Sequence, residues 1–367
     1  MLVDYSYLFD SVRDCYSMLS YNNKDNKVIV PLRYFIDITY RCNLSCPYCY
    51  LERDRAKDEL TADEWKKVID QMPFFAIVSI IGGEPLIRPD FLEVFEYASK
   101  RFKGRVNLYS NALLLNDEII KSFVKNKLLS ISFSLDGVGE VHDKSRNCKG
   151  AFDKIVSNIQ NLQEQSKGKT KIVYDVKSVL HNDNLELMPE LYELCGKNNW
   201  DFLSVTFLRT VFLKQHPHLR PELTPEFNCL QEPVKLYFDM NKFKEVFKEI
   251  EKMSKHFNTR LRWAPKFKPF NNYKDVEKFF LESEKGTALP NMFKPCVFPF
   301  ANLFINPEGH VYPCLSIDMG SVREKPLMEI VNSPEFRKFR GQLKKSKLFT
   351  GCQMCCEPHF KKEFFKG

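Results

Sequence analysis

Six of the twelve cysteines stand in two short crowds, Cys42, Cys46 and Cys49 early in the chain and Cys352, Cys355 and Cys356 near its end. Residues 1–10 lack a basic region followed by an apolar stretch, and no window approaches the roughly 18 apolar residues that span a bilayer. A cytoplasmic location with no membrane partner is therefore expected. A reducing compartment argues against a disulfide scaffold, and metal binding becomes the leading reading for thiols placed this way.

The 367 residues exceed the usual size of one domain, which points to a catalytic domain with a smaller appendage. Hydrophobic residues at 44% and charged residues at 28% give the balance of a globular protein able to bury a core. The formal charge of +8 is spread over isolated lysines, with small runs such as Lys344-Lys345. A solvated surface is the plainer explanation, and an acidic ligand or nucleic acid the sharper one. A nucleic-acid partner is not expected, because base-stacking aromatics interleaved with arginines are not evident.

From Tyr34 to Phe207 short β-branched or aromatic runs alternate with segments of helical period, the pattern of β-α units around a parallel sheet. Six strands are expected, over 34–39, 77–81, 105–109, 130–135, 172–179 and 202–207. Thr61 and Glu64 form a capping box, and Asp90 and Asn116 are candidate caps of the next two helices. Phe152, Ile155, Val156, Ile159 and Leu162 recur as one buried stripe. Such units make an open sheet or an incomplete barrel, and in either case ligands sit at the C-terminal ends of the strands. A proline-rich stretch and a helix over about 234–257 then suggest a linker or lid. Asn306-Pro307-Glu308-Gly309 suits the turn of a hairpin, and Ser333-Pro334 starts a last helix.

Cys42, Cys46 and Cys49 lie on a loop leaving the first strand. Three thiolates can each bind one iron of a 4Fe-4S cube and leave the fourth iron open. Structural zinc is the bland alternative, but it prefers four protein ligands and no nearby His or Cys supplies the fourth. Cys-x3-Cys-x2-Cys with Tyr48 before the last cysteine resembles the signature of the radical S-adenosylmethionine (SAM) superfamily. Gly82-Gly83-Glu84-Pro85 resembles that family's glycine-rich motif. Ser134-Leu135-Asp136-Gly137 with His142, Asp143 and Arg146 resembles a stretch common in its peptide-modifying and sugar-modifying branches.

The resemblance covers about Tyr34 to Phe207 and implies a partial (β/α)6 barrel of α/β class, with Cys42, Cys46 and Cys49 as cluster ligands central to catalysis. It places Tyr48 on the adenine side of SAM and assigns Gly82, Gly83 and Glu84 to the methionine amino group. Ser110, Asn111 and Ser134 approach the ribose or carboxylate, Arg146 pairs with the carboxylate, and Asp136 belongs to the same cofactor-binding set. Ala112 stands where the family often has glycine.

The second crowd, with Cys296 and Cys314 upstream, looks like the auxiliary-cluster extension known as SPASM or Twitch, a small α+β domain. The single-cluster Twitch form fits the cysteines present. Cys296, Cys314, Cys352 and Cys355 are the expected ligands, with Cys356 an alternative to its neighbour, and a four-cysteine zinc site is the rival. Two 4Fe-4S clusters follow in all. The organisation expected is an N-terminal extension (1–30), the radical SAM core (31–215), a helical linker or lid (216–290) and the auxiliary-cluster domain (291–367).

By the same resemblance, a reduced cluster passes an electron to SAM and a 5'-deoxyadenosyl radical removes a substrate hydrogen, with a flavodoxin- or ferredoxin-type protein as electron donor. A ribosomally made peptide is the favoured substrate, modified by an oxidative cross-link, a thioether or an epimerisation. Oxidation of a sugar or aminocyclitol alcohol is the alternative. A zinc-stabilised binding protein is the non-enzyme reading. Sequence does not decide between net oxidation and redox-neutral epimerisation, nor does it fix the oligomeric state.

Overall fold

The computed structural model describes residues 15–49, 58–208, 239–264, 293–314, 317–349 and 352. Six β-α units follow one another through the first two-thirds of the chain. Their strands are β1 (Arg33–Asp37), β2 (Ile77–Ile81), β3 (Val106–Ser110), β4 (Ser130–Ser134), β5 (Val173–Leu180) and β6 (Phe202–Phe207). The helices between them are α1 (Ala62–Asp70), α2 (Phe91–Arg101), α3 (Asp117–Lys125), α4 (Glu140–Arg146), α5 (Ala151–Ser166), the single turn α6 (Asn182–Leu185) and α7 (Met188–Lys197). Beyond them lie α8 (Met240–Met253), β7 (Arg260–Ala264), β8 (Asn302–Ile305), β9 (Val311–Tyr312), α9 (Leu327–Val331) and α10 (Pro334–Ser346).

Among the described residues, nine strands form one sheet in the order β7-β6-β5-β4-β3-β2-β1-β8-β9, and of these strand pairs only β8–β9 is antiparallel. The sheet does not close, so the core is a partial barrel. Two features extend it beyond the six expected strands. Arg260–Ala264 adds a seventh parallel strand beside β6, and the C-terminal hairpin joins the opposite edge by setting β8 parallel to β1.

Strand alternation sends one set of side chains toward the helices. Tyr34, Ile36, Val78, Ile80, Leu108, Ile131, Phe133, Val176, Leu203 and Val205 form that set, and they are buried in one cluster with the helix stripes. Phe133 meets Trp200 edge-on at 4.9 Å, and Trp263 of β7 lies 4.5 Å from Phe247 of α8. The opposite, concave face carries Ser79, Asn107, Ser132, Asp175 and Ser204 beside the aromatic Phe35, Tyr109 and Phe202, a mixed polar and aromatic composition suited to lining a cavity.

Local signals explain several helix starts. Thr61 caps α1 with a complete capping box to Glu64, Asn116 accepts from Ile119 N at the head of α3, and Ser333 accepts from Phe336 N at the head of α10. Asp90 stands at the start of α2 without capping it, because Arg88 takes its carboxylate at 2.6 Å. In α5, Ile155, Ile159 and Leu162 are buried, while Phe152 and Val156 flank them half-buried.

The segment before β1 is tied to the end of the described chain. Asn332 exchanges two 3.0 Å hydrogen bonds with the backbone of Val28, and the buried Arg340 donates to the carbonyls of Val331, Pro299 and Asn26. Among the described residues, no helix is long and apolar enough to cross a membrane.

Candidate functional site

The loop after β1 carries Cys42, Cys46 and Cys49 and is held by backbone bonds to the loop after β2. Gly83 N donates to Thr39 O at 2.7 Å and Glu84 N to Arg41 O at 2.8 Å. Contact is so close that a Cβ at Gly83 would lie 2.3 Å from Arg41 O and 2.6 Å from Tyr40 O, and one at Gly82 would lie 2.7 Å from Thr39 O. Two glycines are therefore a steric requirement of this junction. Glu59 braces the same loop, accepting from Thr39 Oγ1 at 2.7 Å and Tyr40 N at 2.9 Å.

Glu84 is fully buried at the end of β2. Its carboxylate accepts from Ser110 Oγ at 2.7 Å, from Asn111 N at 2.6 Å and from Leu86 N at 3.1 Å. Burial pushes it up to about 7, although these three neutral donors favour the charged form. Ser110 Oγ also accepts from Ala112 N at 2.8 Å, closing a turn in which Ala112 takes the left-handed conformation at φ 61°. That conformation is the physical reason glycine suits this position better than alanine. Asn111 Nδ2 donates to Asn43 Oδ1 at 2.8 Å, which ties the third strand's loop to the cysteine loop.

The thiols of Cys42, Cys46 and Cys49 share one electrostatic environment. Burial raises the Cys42 and Cys46 thiols, and the neighbouring thiols add to the rise; Glu84 also lies within reach of Cys42. Arg146 works the other way at Cys46, with Nη1 3.9 Å from Sγ.

On the other side of the loop sits Asp136, fully buried just beyond β4. One of its oxygens accepts from Val179 N at 2.8 Å. The other meets the Tyr48 hydroxyl, Ser145 Oγ at 2.8 Å and Arg146 Nε at 2.7 Å. Burial alone would raise this carboxyl, but Arg146, Tyr48 and Val179 together hold it below the ordinary carboxylate value. The Arg146 guanidinium also lies 5.4 Å from the Tyr48 ring centre. Its described anionic partner is thus Asp136, a pairing that no local sequence pattern announces. His142 is buried and accepts from Asp136 N at 3.1 Å, and burial lowers it to about 4, so it stays neutral. Ser134 ends β4 beside Lys177 of β5.

These residues fit the groups that the motifs imply. Three half-buried thiols, with Cys42 and Cys46 raised by burial, form a soft donor set suited to iron, whose charge would stabilise the thiolates. Next to them, a buried carboxylate held by neutral donors over a glycine cradle suits an ammonium group.

Farther along, Cys296, Cys314 and Cys352 gather beside the hairpin. The Cys352 thiol is raised well above its ordinary value by burial first and then by Cys296 and Cys314. Cys355 and Cys356 lie outside the described residues.

Two family models match the chain, the radical SAM superfamily over residues 36–195 and the SPASM iron-sulfur cluster-binding domain over residues 296–356. An AdoMet-dependent heme synthase of Methanosarcina barkeri is 28% identical over 312 residues, covering 83% of each chain. A PqqA peptide cyclase of Bradyrhizobium diazoefficiens is 32% identical over 185 residues, covering 48% of this chain and 46% of its own. Streptococcus suis SuiB bound to S-adenosylmethionine superposes with a TM-score of 0.65 at 17% identity, covering 95% of this chain and 77% of that one, and SuiB has also been solved with its precursor peptide SuiA. The N-terminal thiol loop, the Gly-Gly-Glu-Pro turn and the C-terminal thiols fall inside the two matched regions, and the chain belongs to the radical SAM superfamily with a C-terminal SPASM iron-sulfur cluster-binding domain.

Proposed function

We propose that this radical SAM enzyme abstracts a hydrogen atom from a ribosomally made peptide and that an auxiliary cluster accepts the electron left behind, so that the net reaction is oxidative. The observation that carries the cofactor assignment is Glu84, a buried carboxylate with only neutral described hydrogen-bond donors, within electrostatic reach of Cys42. Glu84 would receive the ammonium of SAM, Gly82 and Gly83 would let its backbone approach, and Cys42, Cys46 and Cys49 would hold the cluster. When bound, cluster and SAM together supply a carbon radical able to break an unactivated C–H bond.

Tyr48, Asp136 and Arg146 would then fix the cysteine loop against β4 and β5, keeping the reacting groups aligned and water out. Ser110, Asn111 and Ser134 complete the rim from the ends of β3 and β4. Cys296, Cys314 and Cys352, with Cys355 or Cys356, would hold the auxiliary cluster, which makes two clusters. A flavodoxin- or ferredoxin-type protein would deliver the priming electron.

The peptide reading is supported by the PqqA peptide cyclase relative and by SuiB, whose structure with a precursor peptide shares this fold. A second reading has its own support, because a relative that matches over 83% of this chain is a heme synthase. In that reading the oxidised substrate is a tetrapyrrole.

The test is anaerobic reconstitution. Roughly eight irons per chain are expected, as two cubes require, with 5'-deoxyadenosine forming on addition of SAM and a reductant. The combined Cys42→Ala, Cys46→Ala and Cys49→Ala variant must lose that product; retention would refute the assignment.

A further inference from the structure

The concave face has a charged centre. Strand register places Ser132 of β4, Asp175 and Lys177 of β5, Ser204 of β6 and Arg262 of β7 on this one face. Asp175 gathers them. Its carboxylate accepts from Ser204 Oγ at 2.6 Å and Ser132 Oγ at 3.4 Å, and it lies 2.7 Å from Lys177 Nζ and 4.0 Å from Arg262 Nη1.

Placing such a group in the middle of a sheet is costly, since its charges lose hydration and similar-sized apolar residues pack there at no such cost. The helix-facing side of the same strands shows that alternative, with Val176, Leu203 and Val205 fully buried. Exposure separates the members of the cluster. The Asp175 side chain keeps 9% of its accessible surface, whereas Lys177 keeps 36% although β5 is an internal strand, and Arg262, on the edge strand β7, keeps 39%. The carboxylate is sunk into the face and the two cations stand above it, so what these side chains offer to the barrel interior is ammonium and guanidinium N–H donors. Phe202 lies under Arg262, its ring centre 3.1 Å from the guanidinium carbon, and gives that plane a fixed aromatic backing. Lys177 is level with Ser134, the last residue of β4 before the Asp136 corner, so these donors lie next to the cofactor rim.

We propose that Lys177 and Arg262 form a carboxylate-binding subsite in the barrel interior, with Asp175 as the residue that positions them, and that the substrate carries a carboxylate near the hydrogen to be removed. The inference rests on the reading that substrate enters this interior and adds the chemical class it must present. An ammonium and a guanidinium converging from the two strands that flank β6 suit two-point capture of a planar anion. That anion could come from an acidic side chain of a peptide or from a propionate of a tetrapyrrole, and the two sources share this chemistry.

The experiment uses the reconstituted full chain and two kinds of probe. Peptides containing glutamate are compared with their glutamine counterparts by fluorescence anisotropy, and iron-coproporphyrin III is followed by its visible absorbance. At least one carboxylate probe should bind wild type about tenfold or more tighter than it binds Lys177→Met, the scale of a charge-assisted contact. Lys177→Arg, which keeps the charge, should retain binding. Glutamate-specific binding identifies a peptide acid, and porphyrin-specific binding a tetrapyrrole.

Binding unaffected by Lys177→Met, glutamine peptides binding as well as glutamate ones with no porphyrin bound, or no binding of any carboxylate probe up to millimolar concentration would overturn the proposal. So would equal losses in Lys177→Arg and Lys177→Met. Formation of 5'-deoxyadenosine by wild type is scored separately: its failure removes the radical SAM reading while leaving a Lys177-dependent carboxylate site standing.

Discussion

Asn306 of the hairpin turn donates from Nδ2 to the Tyr40 hydroxyl at 2.8 Å, joining the C-terminal segment to the loop that carries Cys42. The same amide lies 3.3 Å from the Tyr312 hydroxyl, so one side chain spans residues placed two positions before a cysteine in each matched region. Asn306 Oδ1 also accepts from His310 N at 2.7 Å, closing the turn. Asn306→Leu should lower stability by about 1–3 kcal/mol, the cost of leaving buried polar partners unsatisfied. Tyr40→Phe should cost less, because Asn306 keeps Tyr312. Thermal unfolding of both variants checks the order, and equal effects would contradict it.

Binding of SAM should depend on pH through Glu84. Its carboxyl titrates near pH 7 in the folded chain because burial favours the neutral form, whereas an ammonium partner needs the charged form. Affinity is then full above about pH 7 and falls by about tenfold per pH unit below it, with a proton released on binding. Titration calorimetry in buffers of different ionisation heat detects that proton, and Glu84→Gln should bind more weakly with the dependence gone. A flat profile in wild type would remove Glu84 from the site.

Asp37 makes the reverse kind of prediction, one about stability. Burial, with Glu59 adding to it, raises its carboxyl to about 8, and Oδ1 has no hydrogen-bond partner. The group stays protonated in the folded chain while the unfolded chain ionises near pH 4. Its contribution is therefore fully present at low pH and is lost as pH rises through about 8. Asp37→Asn should stabilise the protein at pH 8 by an amount on the order of a few kcal/mol and have little effect near pH 4. Chemical denaturation at the two pH values measures the difference.

At Gly83 a single methyl group should suffice to break the site. Gly83→Ala drives a Cβ into two backbone carbonyls, which cannot rotate away. Iron loading at the N-terminal thiols should fall sharply while the C-terminal thiols still load, an asymmetry readable by Mössbauer or EPR spectroscopy after reconstitution.

Much of this architecture is legible locally. The six strands of the core, the capping box at Thr61 and the Gly-Gly-Glu-Pro turn each announce themselves within a few residues, because period, caps and steric needs are short-range properties. What escapes is decided by distant partners. Arg260–Ala264 alternates Arg-Leu-Arg-Trp in good strand fashion, yet only its place beside β6 gives it meaning. Asp90 looks like a helix cap until Arg88, itself anchored on the distant carbonyls of Ile38 and Leu60, claims it. The grip of Asp136 on Tyr48 and Arg146 joins positions up to 88 residues apart, and the charged centre around Asp175 needs four neighbouring strands to exist. For the same reason, the polar alternation of Ser130-Ile131-Ser132-Phe133-Ser134 reveals a strand but not which face encloses a cavity.

The parallel seam between β1 and β8 sets a timetable for biosynthesis. As the polypeptide leaves the ribosome, Arg33–Asp37 emerges with one flank open, and the segment that covers it, Asn302–Ile305, is translated hundreds of codons later. Until then the nascent β-edge and the thiol loop above it stay accessible, to metallocluster delivery and to mispairing alike. Maturation of this protein thus waits for its eighth strand to lock its first.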